Sequence, residues 1–207
     1  GVPIYQVSHL GGLFSSFNTD VIENIDFYKS GFPARFGGKM SSVVDITTRD
    51  GNFYDYHGTF AIGLIDGHLQ FEGPIVKGKT SFNVGLRRTW IETISEPILY
   101  FFNKENQPDK LTLGYSFSDL NAKVTHKFSP KNVLRGSFYM GRDVFRYKQY
   151  NFSEYYQVGE DGAAEIHRQQ ENDVGIPMNW GNTLGSLDWK WDISDQLSMN
   201  VAAYYTR

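Results

Sequence analysis

The chain has 207 residues, a length that suits one domain or two small ones, and its net charge at pH 7 is −3. It contains no cysteine, which excludes a disulfide scaffold, a cysteine-ligated zinc site and a thiol nucleophile. The weakly acidic charge gives no support for nucleic-acid binding, and a mean hydropathy of −0.42 without any run of about 18 apolar residues argues against a membrane-spanning helix.

The first fifty residues differ in pattern from the rest. Residues 18–20 are predicted to cap a short helix, because Asp20 and Glu23 are spaced as a loose capping box. Glycine and proline then mark a turn, and a β-branched run marks a strand. The predicted order is a helix at 21–24, a strand at 25–28, a turn at 31–38 and a strand at 43–48. We interpret this order as a small α+β unit.

From residue 56 onward, apolar and polar side chains alternate with a period of two, which predicts β-strands. Several of these strands run to about ten residues, the length that a tilted strand needs to cross a bilayer. A soluble strand is usually about five or six residues long. About seven strands are predicted, at 60–64, 69–75, 82–90, 120–128, 134–143, 187–191 and 197–205.

The connections between the predicted strands alternate in length. Tight turns are predicted at 76–79, 129–132 and 193–196, and long polar connections at 91–113 and 149–177. Outer-membrane barrels alternate short periplasmic turns with long extracellular loops, and aromatic residues gather at their strand ends as they do here. The short turn at 65–67 departs from this rule. A soluble β-sandwich, whose alternation marks core and surface faces, remains an alternative.

Three motifs in the first half of the chain carry a family resemblance. They are IENIDFYKSG at 22–31, GFPARFGG at 31–38 and VVDITTR at 43–49. In this order and spacing they resemble the C-terminal part of the plug domain of TonB-dependent outer-membrane receptors. The amino-acid sequence at 31–38 and 41–51 looks most like that of the Bacteroidetes-type receptors whose plug follows a carboxypeptidase-regulatory-like domain. GVPIY at 1–5, the His57-Gly58 pair and EGPI at 72–75 also resemble family stretches.

The resemblance implies a mainly β fold and a piece of a longer protein. Residues 1–52 would be the end of the α+β plug, and residues 53–207 would be the first part of a transmembrane antiparallel β-barrel. A family barrel has about 22 strands, so about seven strands form about a third of the wall and cannot close alone.

The resemblance also implies a function and partners. We expect energy-coupled import of a nutrient across the bacterial outer membrane, with ligand bound outside and passage gated by the plug. The expected partners are the TonB-ExbB-ExbD complex, acting through an upstream segment, outer-membrane lipid and a surface lipoprotein. Siderophore, glycan, peptide and cobalamin remain open as substrates.

Two groups of residues are candidates for the site. The first group would contact the barrel from the plug turn and contains Lys29, Arg35, Gly37 and Gly38. The second group would line the polar lumen and contains Arg87, Lys123 and Arg135.

No pattern in the chain predicts catalysis. The five histidines are not spaced as metal ligands, and the P-loop, HExxH and GxSxG motifs do not occur. We therefore expect neither an enzyme nor a cofactor. Two alternatives to transport stay open, a barrel with a structural, adhesin or secretion role and a soluble glycan-binding β-sandwich.

Overall fold

The computed structural model describes residues 8–9, 14–15, 18–29, 33, 36, 42–106, 109–158 and 164–207, with the backbone alone at 14, 154–158 and 164–170. These residues are mainly β, as predicted. The strands are β1 (Ser8–His9), β2 (Phe14–Ser15), β3 (Ile22–Tyr28), β4 (Val43–Thr48), β5 (His57–Ile62), β6 (Asp66–Val76), β7 (Thr80–Thr89), β8 (Lys110–Ser129), β9 (Asn132–Val158), β10 (Ala164–Ser194) and β11 (Leu197–Thr206). The described residues also contain one α-helix, α1 (Ile91–Glu105), and a 3-10 turn at Thr19–Val21.

Strands β5 to β11 form one antiparallel sheet in the order β11-β10-β9-β8-β7-β6-β5. The predicted number of seven strands is confirmed. Each strand pairs with its neighbour in sequence, so the sheet is a meander of hairpins. Between β7 and β8 the register runs from Thr80 opposite His126 to Arg88 opposite Ser118.

Two smaller antiparallel pairs precede this sheet. Strand β3 pairs with β4, from Tyr28 opposite Val43 to Ile22 opposite Thr48, and β1 pairs with β2. The predicted bounds of β4 are confirmed. The helix predicted at 21–24 is wrong, because Ile22 already begins β3. Asn18 instead caps the short 3-10 turn by accepting a 3.0 Å hydrogen bond from the Asp20 amide.

The long connection predicted at 91–113 is present between β7 and β8, but most of it is α1, which the sequence pattern did not predict. Glu92 lies in the first turn of the helix and Lys104 in the last, so both charges interact favourably with the helix dipole. The Ser95 hydroxyl donates to the Leu113 carbonyl at 2.9 Å, and this bond holds α1 against the start of β8.

The connection predicted at 149–177 is largely strand. Strand β9 runs to Val158 and β10 starts at Ala164. Strands β8, β9 and β10 therefore have 20, 27 and 31 residues, well beyond the predicted ten.

The chain divides into two compact units. The first contains Gly1–Arg88, Ser118–Arg142 and Gly181–Arg207, and the second contains Thr89–Phe117 and Asp143–Trp180. The predicted boundary near residue 52 stays a prediction. None of the helical segments that the structure describes is long and apolar enough to cross a membrane.

Candidate functional site

One face of the seven-stranded sheet is apolar and exposed, and we call it the apolar face. Phe60 is 70 % exposed and Leu187 is 56 % exposed, although both are large apolar side chains. Large exposed apolar surfaces are rare on water-soluble monomers. Further exposed members are Ile62, Leu69, Phe71, Ile75, Leu86, Val124, Phe128, Phe138, Met140, Leu197, Val201 and Tyr205.

The opposite face is polar and buried, and we call it the polar face. Ser81 and Thr125 are fully buried, and Asn83 is 2 % exposed. Buried polar groups are costly unless they are hydrogen-bonded. Gln70 meets this need by donating to Asn83 at 2.9 Å. Other buried members in the first unit are Glu72, Asp119, Lys123 and Asn182.

The residues that cover part of the polar face come from the end of β4 and the residues just after it. Ser81 donates to the Asp50 carbonyl at 2.7 Å, and Asn83 donates to the Arg49 carbonyl at 3.4 Å. The Lys123 ammonium donates to the Thr48 carbonyl at 2.5 Å. Residues 48–50 are thus bonded to the sheet through their own backbone carbonyls.

Close backbone approach fixes the same segment further. Gly51 has φ +84°, and a Cβ placed on it would lie 2.3 Å from the Phe82 carbonyl oxygen. At Gly85 a Cβ would lie 2.4 Å from a methyl group of Val21. Both positions therefore require glycine, and they bring two parts of the N-terminal chain into contact with β7.

Asp50 lies between two cations. The Lys123 ammonium is 2.7 Å from its Oδ1, and Arg135 Nε is 3.1 Å from both carboxylate oxygens. Burial by itself would raise the pKa of Asp50, but the hydrogen bonds and charges of Lys123 and Arg135 outweigh it and hold the pKa below the ordinary 3.8. We call these three residues the Asp50 cluster.

Asp119 forms a second buried cluster. Its Oδ2 accepts from Arg87 Nε at 3.0 Å and from the Arg87 terminal nitrogen at 2.6 Å. Its Oδ1 lies 3.0 Å from His9 Nε2 and accepts from the Tyr139 hydroxyl at 3.2 Å. We call Asp119, Arg87, His9 and Tyr139 the Asp119 cluster.

The second unit carries its own polar contacts. The Tyr115 hydroxyl donates to the buried Asp143 carboxylate, and the Tyr115 ring lies 6.4 Å from the Trp180 ring. On β9, Tyr147 donates to Gln149 at 2.5 Å, and Gln149 donates to Asn151 at 3.0 Å. Those side chains form a continuous hydrogen-bonded row along one strand.

The predicted site residues have different outcomes. Lys29 is an exposed residue just after β3, and Arg35, Gly37 and Gly38 lie outside the described residues. Arg87, Lys123 and Arg135 all lie on the polar face, each within 3.1 Å of an aspartate. That they line a lumen stays a prediction.

Neither of the two aspartates is among the site residues predicted from the sequence. Asp119 lies two residues before Asn121 and four before Lys123, so extending the period of two one residue beyond the predicted strand at 120–128 would have placed it on the polar face. Asp50 has no such signal, because it follows a strand and its partners lie 73 and 85 residues away in sequence. The position of His9 among the five histidines gives no signal of this pairing either.

Three comparisons with known proteins give no relative. No family model, no curated protein and no solved structure matches this chain. In the part of the chain that the structure describes, no group of three or more His, Asp or Glu side chains is arranged to hold a metal ion. The function of the chain is therefore inferred from the two faces of the sheet and from the motifs quoted above.

Proposed function

We propose that this chain is part of a TonB-dependent transporter of the bacterial outer membrane. Residues 1–52 belong to the plug, and residues 53–207 form the first strands of the barrel wall. Ligand binds from outside, the plug gates its passage, and the TonB-ExbB-ExbD complex supplies the energy by pulling on an upstream segment. The ligand itself is a nutrient of unassigned class.

The observation that carries the proposal is the inverted polarity of the sheet. Its apolar face is exposed, with Phe60 at 70 % and Ile62 at 68 %, while Ser81, Asn83 and Thr125 of its polar face are buried. In a barrel wall the lipid covers the apolar face and the lumen holds the polar one. A soluble β-sandwich would instead bury its apolar face as the core, so the described exposures count against that alternative.

Strand length and connectivity support the same proposal. A tilted strand needs about 9–11 residues to cross the hydrocarbon. Strands β6 and β7 have 11 and 10 residues, and β8 to β10 have 20 or more. All five strands are therefore long enough for one tilted crossing, and β8 to β10 exceed that length.

The contacts on the polar face support a plug. A lumen as wide as that of a barrel with about 22 strands must be filled, and the family fills it with the plug. Here His9, Ser15 and Asp50 all bond to side chains of β7, β8 or β9. The proposal takes these bonds as plug-to-wall contacts.

The first experiment is fractionation of the full-length protein, followed by electrophoresis in detergent with and without boiling. We expect it in the outer membrane, with a folded band that shifts on heating, because closed barrels resist detergent until heated. A protein recovered in the soluble fraction with no shift would contradict the proposal and favour the sandwich.

A second measurement separates transport from a structural or adhesin role. We expect the full-length barrel to co-purify with the periplasmic domain of TonB. A heat-modifiable barrel that does not bind TonB would contradict energy-coupled import. The proposal that residues 53–207 form part of a barrel wall would still stand.

A further inference from the structure

Two cations of the polar face converge on one carboxylate. The Lys123 ammonium on β8 lies 2.7 Å from Asp50 Oδ1, and Arg135 Nε on β9 lies 3.1 Å from both carboxylate oxygens. Strands β8 and β9 are neighbours in the sheet, so the sheet itself holds the two donors side by side. It therefore presents the same pair of donors to any carboxylate that reaches them.

The space between the two cations favours an anion. Lys123 also donates to the Thr48 carbonyl, but a neutral carbonyl does not compensate the charge of a side chain that is 9 % exposed. Asp188 lies 3.8 Å from Arg135 and is itself exposed, so it compensates that cation weakly. The lowered pKa of Asp50 agrees with a position that stabilises a negative charge in spite of burial.

This position is open to solvent on one side. The side chain of Asp50 is 25 % exposed and that of Arg135 is 29 % exposed. The backbone nearby is held by separate donors, since Ser81 donates to the Asp50 carbonyl and Asn83 donates to the Arg49 carbonyl. The Asp50 carboxylate can therefore rotate away from the two cations while its backbone stays bonded to β7.

We propose that Lys123 and Arg135 form a carboxylate-binding site, which Asp50 occupies in this structure and which a carboxylate group of a ligand takes over from it. The exchange replaces one ion pair by another of the same charge. Because Asp50 is attached beside the site, its effective concentration is high, and a small free acid competes with it poorly. A ligand that displaces Asp50 must therefore make further contacts of its own.

This inference rests on the proposed function in one respect, since it takes the ligand to be the imported nutrient and narrows that nutrient to a compound with a carboxylate group. Its test does not measure transport. A soluble protein in which the site binds acetate would contradict the transporter and keep the site. A heat-modifiable barrel in which the site does not bind acetate would reject the site alone.

The experiment is rescue of Asp50→Ala by acetate, in the full-length protein at pH 7. The substitution removes the resident carboxylate and leaves space for acetate between the two cations. We expect a lower urea midpoint than in the wild type, and we expect sodium acetate to recover about half of the loss or more, because a ligand that binds only the folded state stabilises it. Sodium chloride at the same ionic strength should recover little. Acetate should leave the wild type unchanged, since Asp50 fills its site.

Two further variants are matched controls. Asp50→Asn keeps the space filled by a neutral amide, so acetate should restore its midpoint no better than chloride. Asp195→Ala removes the exposed partner of Lys131, and its midpoint should not respond to acetate. Equal recovery of Asp50→Ala in acetate and chloride would overturn the proposal, because it would show general screening by salt. Equal recovery of Asp50→Ala and Asp50→Asn in acetate would overturn it as well.

A refolding measurement covers the case in which Asp50→Ala is not recovered folded. The variant is diluted from urea into buffer with acetate or with chloride, and the yield of folded protein is compared. We expect the yield in acetate to be about twofold higher or more, because acetate stabilises only the folded state. Equal yields in the two salts would reject the carboxylate site.

Discussion

Asp50 shows how a single residue can fix the end of a segment to a sheet. Two cations on different strands, Lys123 and Arg135, contact its carboxylate at 2.7 and 3.1 Å. Its backbone carbonyl accepts from Ser81 as well. Because burial opposes ionisation and the cations favour it, the lowered pKa means that the cations prevail.

Stability should therefore depend on pH through Asp50. A carboxyl whose pKa is lower in the folded protein stabilises it above the unfolded pKa of about 3.9 and loses that contribution as pH falls through the folded pKa. We expect the urea concentration at the unfolding midpoint of the wild type to decrease as the pH is lowered below about 4. Asp50→Asn should lower the midpoint at pH 7 and reduce its further fall in acid.

The measurement is urea titration of the full-length protein in detergent at pH 7, 5 and 3. Asp195→Asn serves as the control, since its carboxylate is 93 % exposed, and should follow the wild type. Identical pH profiles for the wild type and Asp50→Asn would show that Lys123 and Arg135 do not stabilise the ionised form.

At the scale of elements, Asn103 attaches the C-terminal end of α1 to β8, in addition to the bond of Ser95 nearer the start of the helix. Asn103 donates to the Leu111 carbonyl at 2.9 Å and accepts from the Leu111 amide at 2.6 Å. The two bonds together imitate one rung of a β-ladder. They hold the last turn of the helix to the start of the strand.

Asn103→Ala should release that turn. Loss of two partly buried hydrogen bonds costs about 1–3 kcal/mol locally, so exchange of the Leu111 amide should accelerate while Phe117 stays protected. Asn106→Ala is the matched control, because Asn106 bonds to the Phe102 carbonyl of its own helix. Equal acceleration in both variants would mean that Asn103 does not hold the last turn of the helix to β8.

Sequence periodicity predicts strands only where the two faces differ. It located the seven strands of the sheet, where apolar and polar side chains alternate, whereas β4 was predicted from its run of β-branched residues. It missed the end of β9 and the start of β10, because the sequence 149–177 is rich in polar residues and predicted a connection, although Val174 and Ile176 alternate there with polar residues. It missed α1 because Pro97 and a cluster of aromatics hide a helical pattern.

Alternation also predicts on which face of the sheet a site residue lies, but it does not predict the partner of that residue. The alternation assigned Arg87, Lys123 and Arg135 to the polar side of their strands, and all three lie on the polar face. Their partners were not predictable by spacing, because Asp119 lies 32 residues from Arg87 in sequence, and Asp50 lies 73 and 85 residues from Lys123 and Arg135. Pairing at such separation is decided by the three-dimensional packing.

For the whole molecule, the proposed lipid contact predicts a depth-dependent cost on the apolar face. Leu187 and Leu197 are both 56 % exposed, but Leu197 begins β11 and Leu187 lies seven residues before the end of β10. A strand rising about 3.3 Å per residue and tilted about 45° places Leu187 about 16 Å from the turn.

Leu187→Lys should therefore destabilise the full-length barrel by about 2–4 kcal/mol, and Leu197→Lys by about 0–1 kcal/mol. Urea unfolding in lipid vesicles, followed by the heat-modifiable band, measures both. Two equally small effects would indicate that water, and not lipid, covers this face.

The close approach of the Gly51 backbone to the Phe82 carbonyl has a consequence for protein engineering. A Cβ at this position would overlap the Phe82 carbonyl, and the preceding residue is fixed by Lys123 and Arg135. A chimera that exchanged the N-terminal segment at this point would need to carry Asp50 and Gly51 together with their acceptor strands. A junction in the exposed residues 54–56 would separate Asp50 and Gly51 from Lys123, Arg135 and Phe82, so such a chimera should keep its stability only where both parents carry these residues.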